Sequence, residues 1–255
     1  WGYDSNGQLG DDAALANKST PVSISGIDKA VAVASGPGGN FSLTLLSNGT
    51  IKASGYNADA QLGDNTTTQR ATPVTVCNTG AAAGTCDANP LTNAVAIAAG
   101  HYHALALLSD GTVKGWGWNF EGELGDGTGS TRYTPVSAGS GITNAVAVAA
   151  GGRHSLVLLT DGTIRAFGGN PYGELGNGAT AANQRTPVTV SGITNAVAVA
   201  AGGSYGEPGY RFSLALLSDG TIKAWGDNTY GQLGNGTTTA STIPVTVSGI
   251  TDAVA

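Results

Sequence analysis

The 255-residue sequence has no methionine, only two cysteines and few charges, 11 Lys and Arg against 17 Asp and Glu. Lacking methionine and beginning at Trp1, it reads as a processed product or a piece of a longer chain, with any signal peptide outside it. The net charge of -6 comes with no basic cluster, and nucleic-acid affinity needs Lys and Arg to neutralise phosphates. No nucleic-acid partner is therefore expected. The longest uncharged apolar runs, such as 94–99, are about six residues where a bilayer span needs roughly 20, so no transmembrane segment is expected. Glycine, by contrast, fills 41 positions. Each glycine inside a helix costs about 1 kcal/mol relative to alanine, which argues against a helical protein. Hydrophobic residues still make up 40%, enough for a buried core.

Self-similarity dominates what is present. The stretch Trp1-Gly-Tyr-Asp-Ser-Asn-Gly-Gln-Leu-Gly10 returns at Ser54, Trp116, Phe167 and Trp225, starts that lie 53, 62, 51 and 58 residues apart. The basic unit is 51 residues, with insertions of 2, 11 and 7 in three copies. A period of this size signals a repeat architecture. Seven positions into every copy stands a Gln or Glu followed by Leu-Gly: Gln8, Gln61, Glu123, Glu174 and Gln232. Such regularity in a polar, glycine-rich loop predicts a shared turn geometry.

Each unit predicts four short strands. A Pro-led strand comes first (21–24, 73–76, 135–138, 187–190, 244–247) and is expected outermost, because proline lacks an amide donor. A Val/Ala alternation follows (31–34, 95–98, 146–149, 197–200), with Val on one face and Ala on the other. The third strand (41–46, 103–108, 154–159, 212–217) is apolar on both faces and should be covered on both. Asn48-Gly49, Asp110-Gly111, Asp161-Gly162 and Asp219-Gly220 supply the positive φ of a two-residue hairpin. They lead into the fourth strand (51–54, 113–116, 164–167, 222–225), which ends on a large, usually aromatic residue read as a packing anchor. Four-stranded sheets on this period describe an all-β chain, a β-propeller of antiparallel blades forming one domain over 1–255. Four complete blades are expected, plus a fifth that 244–255 opens and Trp1 ends.

The recurring order Trp-Gly-x-Asn-x-x-Gly-Gln-Leu-Gly, Thr-Pro-Val, Val-Ala-x-Gly-x-x-His-Ser-Leu-Ala-Leu and Asp-Gly-Thr resembles the regulator of chromosome condensation repeat family over essentially the whole chain. The monotony of Ala, Thr, Gly and Asn is similar to bacterial or archaeal members. The resemblance implies a propeller, commonly seven-bladed. Seven units would need about 357 residues, so the chain is expected to be truncated by about two blades. The alternative is a five-blade ring lacking about 19 residues between Ala255 and Trp1. Eukaryotic namesakes act as nucleotide-exchange factors for a small GTPase and bind chromatin, whereas this chain is acidic and has no basic tail. Some bacterial propellers of similar type are secreted inhibitors of β-lactamase that plug an enzyme cleft with loop aromatics.

Reactive side chains are sparse. Cys77 and Cys86, flanking Gly80 and Gly84 in the 11-residue insertion, read as a disulfide, which places the protein outside the reducing cytosol. Two cysteines without a nearby histidine fall short of the roughly four ligands of a zinc site. One carboxylate per Asp-Gly hairpin falls short of the roughly six to eight oxygens of calcium. Neither metal nor cofactor is expected. His103 and His154 hold the position of Phe41 and Phe212, which suits a structural role at the head of the third strand. His101 and His103 could share a strand face as a metal pair, but no carboxylate is fixed near them. Ser155 recurs as Ser42 and Ser213, so no lone nucleophile stands out and no enzyme is expected. Lys52, Lys114, Arg165 and Lys223 recur at one position and should face solvent or pair with a neighbouring blade.

The units differ mainly at one end. In an up-and-down meander, the loops from second to third strand and from fourth strand onward share an end, opposite the tight hairpins and the cystine loop. Tyr102, Trp118, Phe120, Arg132, Tyr133, Arg153, Tyr172, Tyr205, Tyr210, Arg211 and Tyr230 fall there, with the irregular segments 37–40 and 203–211. Aromatic residues and Arg dominate interface hot spots, and loops on a rigid scaffold carry binding. The sequence thus predicts a non-catalytic extracellular or cell-surface module for a protein partner or a larger surface assembly. A secreted inhibitor or regulator docking one face on a partner enzyme is the alternative.

Overall fold

The computed structural model describes residues 1–13, 15–180, 183–203 and 210–254. Among them are four antiparallel four-stranded sheets and no helix. The first sheet runs β1 (Ala30–Ser35), β2 (Phe41–Leu46), β3 (Ile51–Gly55), β4 (Arg70–Thr75), and the second β5 (Ala94–Ala99), β6 (His103–Leu108), β7 (Val113–Gly117), β8 (Arg132–Ser137). The third runs β9 (Ala145–Ala150), β10 (His154–Leu159), β11 (Ile164–Gly168), β12 (Gln184–Thr189), and the fourth β13 (Ala196–Ala201), β14 (Phe212–Leu217), β15 (Ile222–Gly226), β16 (Ser241–Thr246). Each sheet is a meander and forms one blade. First strands of successive blades lie against one another. A bulge early in each of them interrupts the expected alternation, so that Val95, Val146 and Val197 stand outside the core.

The predicted phase of the blade is corrected. The Pro-led strand closes the sheet it follows instead of opening the next: Lys52 is in register with Thr75, and Lys223 with Thr246. Segment 244–247 therefore finishes the fourth blade, and 21–24 forms no strand. The reason lies in the long loop between third and fourth strands, which folds back so that the chain can pair with the strand it has just left. Lys52, Lys114, Arg165 and Lys223 reach the Ser or Thr hydroxyl opposite them on that outer strand, within their own blade.

The core lies in the seams between blades. Phe41, Leu43, Leu45 and Ile51 of the first blade meet Ala104, Ala106 and Trp116 of the second, and the same arrangement recurs around Phe167 and Trp225. The third-strand prediction holds best in the middle of the arc, where β10 is buried along its whole length. Trp116 Nε1 donates to the Gln61 carbonyl at 2.8 Å, and Trp225 Nε1 to the Glu174 carbonyl at 2.7 Å. The Leu-Gly turn makes room for the ring: a Cβ on Gly63, already at φ +63°, would sit 2.9 Å from the Trp116 indole. Each long loop also straps itself to the next blade, the amides of Asn65, Gly127 and Gly178 donating to the carbonyls of Tyr133, Arg185 and Thr242.

Cys77 and Cys86 are bonded to each other and buried. Their loop is not confined to the hairpin end. Thr79 donates to the Pro135 carbonyl on β8, and Asn65 of the long loop donates to Ala81, so it lines the outer side of the first seam. Replacing both cysteines by serine is expected to lower stability by about 2–3 kcal/mol, the loop-closure contribution of so short a ring. Equal urea midpoints for variant and parent would contradict this.

Candidate functional site

The loops 56–69, 118–131, 169–180 and 227–240 are each built on a buried asparagine. The Oδ1 atoms of Asn57, Asn119, Asn170 and Asn228 accept the amides of Leu62, Leu124, Leu175 and Leu233 at 2.9 Å. Their Nδ2 groups donate across the loop, as Asn119 does to the carbonyls of Thr128 and Ser130. Gln61, Glu123, Glu174 and Gln232 each accept the amide two residues earlier. These two brackets are the turn geometry that the Gln/Glu-Leu-Gly triplet announces.

This frame holds a charged cluster between three blades. Glu121, in the β7–β8 loop, pairs with Arg153 of the β9–β10 turn and lies 3.5 Å from Nη1 of Arg211, just before β14. The same Nη1 is 3.6 Å from Glu174 in the β11–β12 loop. Burial pushes the Glu123 carboxyl up to about 8, with Glu121 adding to the rise and Arg153 opposing it. Burial also pushes Glu174 up to about 7, opposed in part by Arg211.

A relay of hydrogen bonds runs beneath. Ser155 Oγ donates to the Glu123 carbonyl at 2.7 Å, so His103 Nε2, 2.9 Å away, must carry the proton and donate to Ser155. His154, Ser213 and the Glu174 carbonyl repeat the arrangement one blade on. Burial drives both imidazoles down to about 3, so they stay neutral. His101 packs edge-on to Tyr102, with ring centroids 4.2 Å apart. Among the described residues no group of three His, Cys, Asp or Glu is placed to hold a metal.

The aromatic residues gather as pairs: Tyr102 with Tyr56, Trp118 with Phe120, Tyr210 stacked on Tyr230. Phe120 is 59% exposed and Tyr230 65%, but their settings differ. A Cβ on Gly231 would meet nothing, whereas one on Gly122, beside Phe120, would press on Arg185 of the next blade. Phe120 is thus exposed with a blade on either side. Tyr133 and Arg132 stand on the outer strand, where Arg132 is held by Asp126 as Arg70 is by Asp64. Arg153 and Arg211 lie mostly inside the charged cluster, Tyr172 is half-buried, and Tyr205 lies outside the described residues. Sequence reasoning missed Tyr56, the buried asparagines and Glu121, and read Glu123 and Glu174 as turn formers without their part in a charged cluster. The signal for these two was the exchange of Gln for Glu at positions 123 and 174.

Profiles described as Regulator of chromosome condensation (RCC1) repeat match residues 94–123, 145–174 and 208–232 in one form and 110–158 and 161–206 in another, together more than half of the chain. The chain belongs to the regulator of chromosome condensation repeat family. Similar proteins carrying this repeat include human E3 ubiquitin-protein ligase HERC2, 30% identical over 256 residues that cover 98% of this chain and 5% of HERC2. The ultraviolet-B receptor UVR8 of Arabidopsis thaliana is 28% identical over 248 residues, 97% of this chain and 52% of UVR8. In fold the chain is similar to human WBSCR16, with a TM-score of 0.77, 24% identity, and coverage of 96% of this chain and 60% of that one. Yeast RCC1 (Prp20), solved bound to Kap60, gives 0.73, 23%, 91% and 52%. The chain spans about half of UVR8 and a small part of HERC2. What it shares with them is the RCC1-repeat propeller, a fold of the protein-interaction kind.

Proposed function

We propose that this chain is a non-catalytic extracellular or cell-surface propeller that docks a protein partner on its loop end. Phe120 carries the reading: a large apolar ring, paired with Trp118, held out to solvent in the middle of the arc between the buried Asn119 and the buried segment 121–125. Aromatic anchors on a rigid frame are what interface hot spots are made of. The Cys77–Cys86 bond supports the compartment, since such bonds persist in oxidising surroundings. A secreted inhibitor or regulator would use the same face on a partner enzyme, and an enzyme assay with added propeller separates it from a structural module.

The test compares the parent with Trp118→Ala/Phe120→Ala/Tyr133→Ala as baits against envelope and secreted fractions of the producing cell. Capture is expected to fall about tenfold or more with the melting temperature little changed. Equal capture would remove the docking role, and free thiols in protein isolated without reductant would remove the compartment.

A further inference from the structure

Resting on the reading of the loop end as a docking face, we infer that Glu123 is a proton-operated catch for that face. Protonated, it lets the loops of the second, third and fourth blades share one closed chain of ion pairs. Ionised, it forces that chain apart and loosens the face.

Sister repeats supply the first argument. Gln8, Gln61 and Gln232 occupy the same slot, and in each the side-chain oxygen accepts the amide two residues back. The remaining head-group atom is a donor, Nε2, which in Gln8 donates to the Gly39 carbonyl and in Gln232 to Asp227, and which in Gln61 is buried without a hydrogen-bond partner. Glu123 Oε2 takes over the acceptor role, and Oε1 stands where the donor belongs, buried and without a hydrogen-bond partner. A protonated carboxyl is the form of Glu that matches Gln.

Charge balance supplies the second. Facing Glu123 are Glu121 of its own loop and Arg153 of the β9–β10 turn; beyond them lie Arg211 before β14 and Glu174 of the β11–β12 loop. His101 stands near Arg153, His103 and His154 are neutral, and Asp227 is engaged by the Tyr210 amide and Gln232. Among the described residues of the cluster, the carboxylates of Glu121 and Glu174 answer the guanidiniums of Arg153 and Arg211. A third would have no cation left, and a buried unpaired charge must reach water. Burial raises both carboxyls, but Glu174 lies beside Arg211, so its ionisation completes the balance and that of Glu123 exceeds it. For an acid whose folded value is raised, the stabilisation of the closed form is complete at low pH and is lost as pH rises through the folded value.

Hydrogen exchange of the whole chain, corrected for intrinsic rates, reads this without a partner. Protection of segment 118–126 is expected to fall about tenfold between roughly pH 7 and 9 relative to 57–64, where Gln61 fills the slot. Glu123→Gln should hold that loss within about twofold. Glu174→Gln leaves one carboxylate fewer for the two guanidiniums, so that an ionised Glu123 has a cation to answer it, and should make the loss smaller than in the parent. An unchanged loss in Glu123→Gln, or none in the parent, overturns the inference. Either result leaves the docking reading to be judged by the Phe120 variant, so the two fail separately.

Discussion

Trp116→Ala is expected to lower the free energy of unfolding by about 3–5 kcal/mol, the range for removing a buried aromatic side chain. The indole is wholly buried and packs against Leu62, Val76, Ala104 and Ala106 in the first seam. Truncation would leave a cavity that the seam cannot close, since the sheets are held apart by their own ladders, and would strip the Gln61 carbonyl of its donor. Two variants divide the effect. Trp116→Phe should cost about 1 kcal/mol, mostly the lost hydrogen bond, because Phe167 fills the same position in the second seam without one. Trp116→Ser should resemble Ala, although Ser54 is the natural residue in the first unit and still reaches the Gln8 carbonyl at 3.4 Å. Chemical denaturation followed at equilibrium measures all three, and a loss below 1 kcal/mol for Trp116→Ala would mean that the seams do not hold the fold together.

Asn119→Ala should be comparably severe, at about 3 kcal/mol, for a polar reason. One side chain satisfies the Leu124 amide, the carbonyls of Thr128 and Ser130, and Asp126. Deleting it strands several buried groups, each worth about 1–3 kcal/mol when unpaired, with water entering to recover part of the loss. Asn119→Asp separates acceptor from donors. Asp4 shows that a carboxylate at this position still accepts the following Leu amide, 3.0 Å from Leu9. At position 119, however, it would lack the Nδ2 donors and face Asp126. Near neutral pH it should behave more like Ala than like Asn, and recover toward low pH as the pair is protonated. Equal stability of Asn119→Asp and parent at pH 7 would show that the Nδ2 bonds contribute little.

The strands were readable because their signals are local. Asp-Gly hairpins, apolar third strands and terminal aromatics each specify a few adjacent residues, and the sheets follow. The phase was harder to read, because a periodic sequence has no origin. Whether residues 135–138 open a blade or close one depends on whether 118–131 folds back, and that rests on Asn119 finding acceptors about ten residues away. The charged cluster was less legible still. It joins Glu121, Arg153 and Arg211 from three blades, and each looks in sequence like unpatterned variation within a loop. Arg132 shows the converse: it reads as a recognition residue by type, yet it repeats the loop-bracing ion pair of Arg70. Phe120 stands out in the sequence as a large ring where other units carry Ser5, Ala58, Pro171 and Thr229, whereas Trp118 repeats the rings of Tyr3 and Tyr56.

The strap from each long loop to the following outer strand makes the natural module straddle two sheets. Each strap reaches past the next anchor residue, so a cut before Trp116 parts the Asn65 amide from the Tyr133 carbonyl, and the equivalent amide of another repeat, Gly127 or Gly178, can take its place when repeats are joined in register. Unequal exchange between repeats at equivalent anchor points would therefore add or remove a complete spoke, with both new junctions chemically identical to old ones. Lineages of such wheels can change their girth without passing through a broken intermediate.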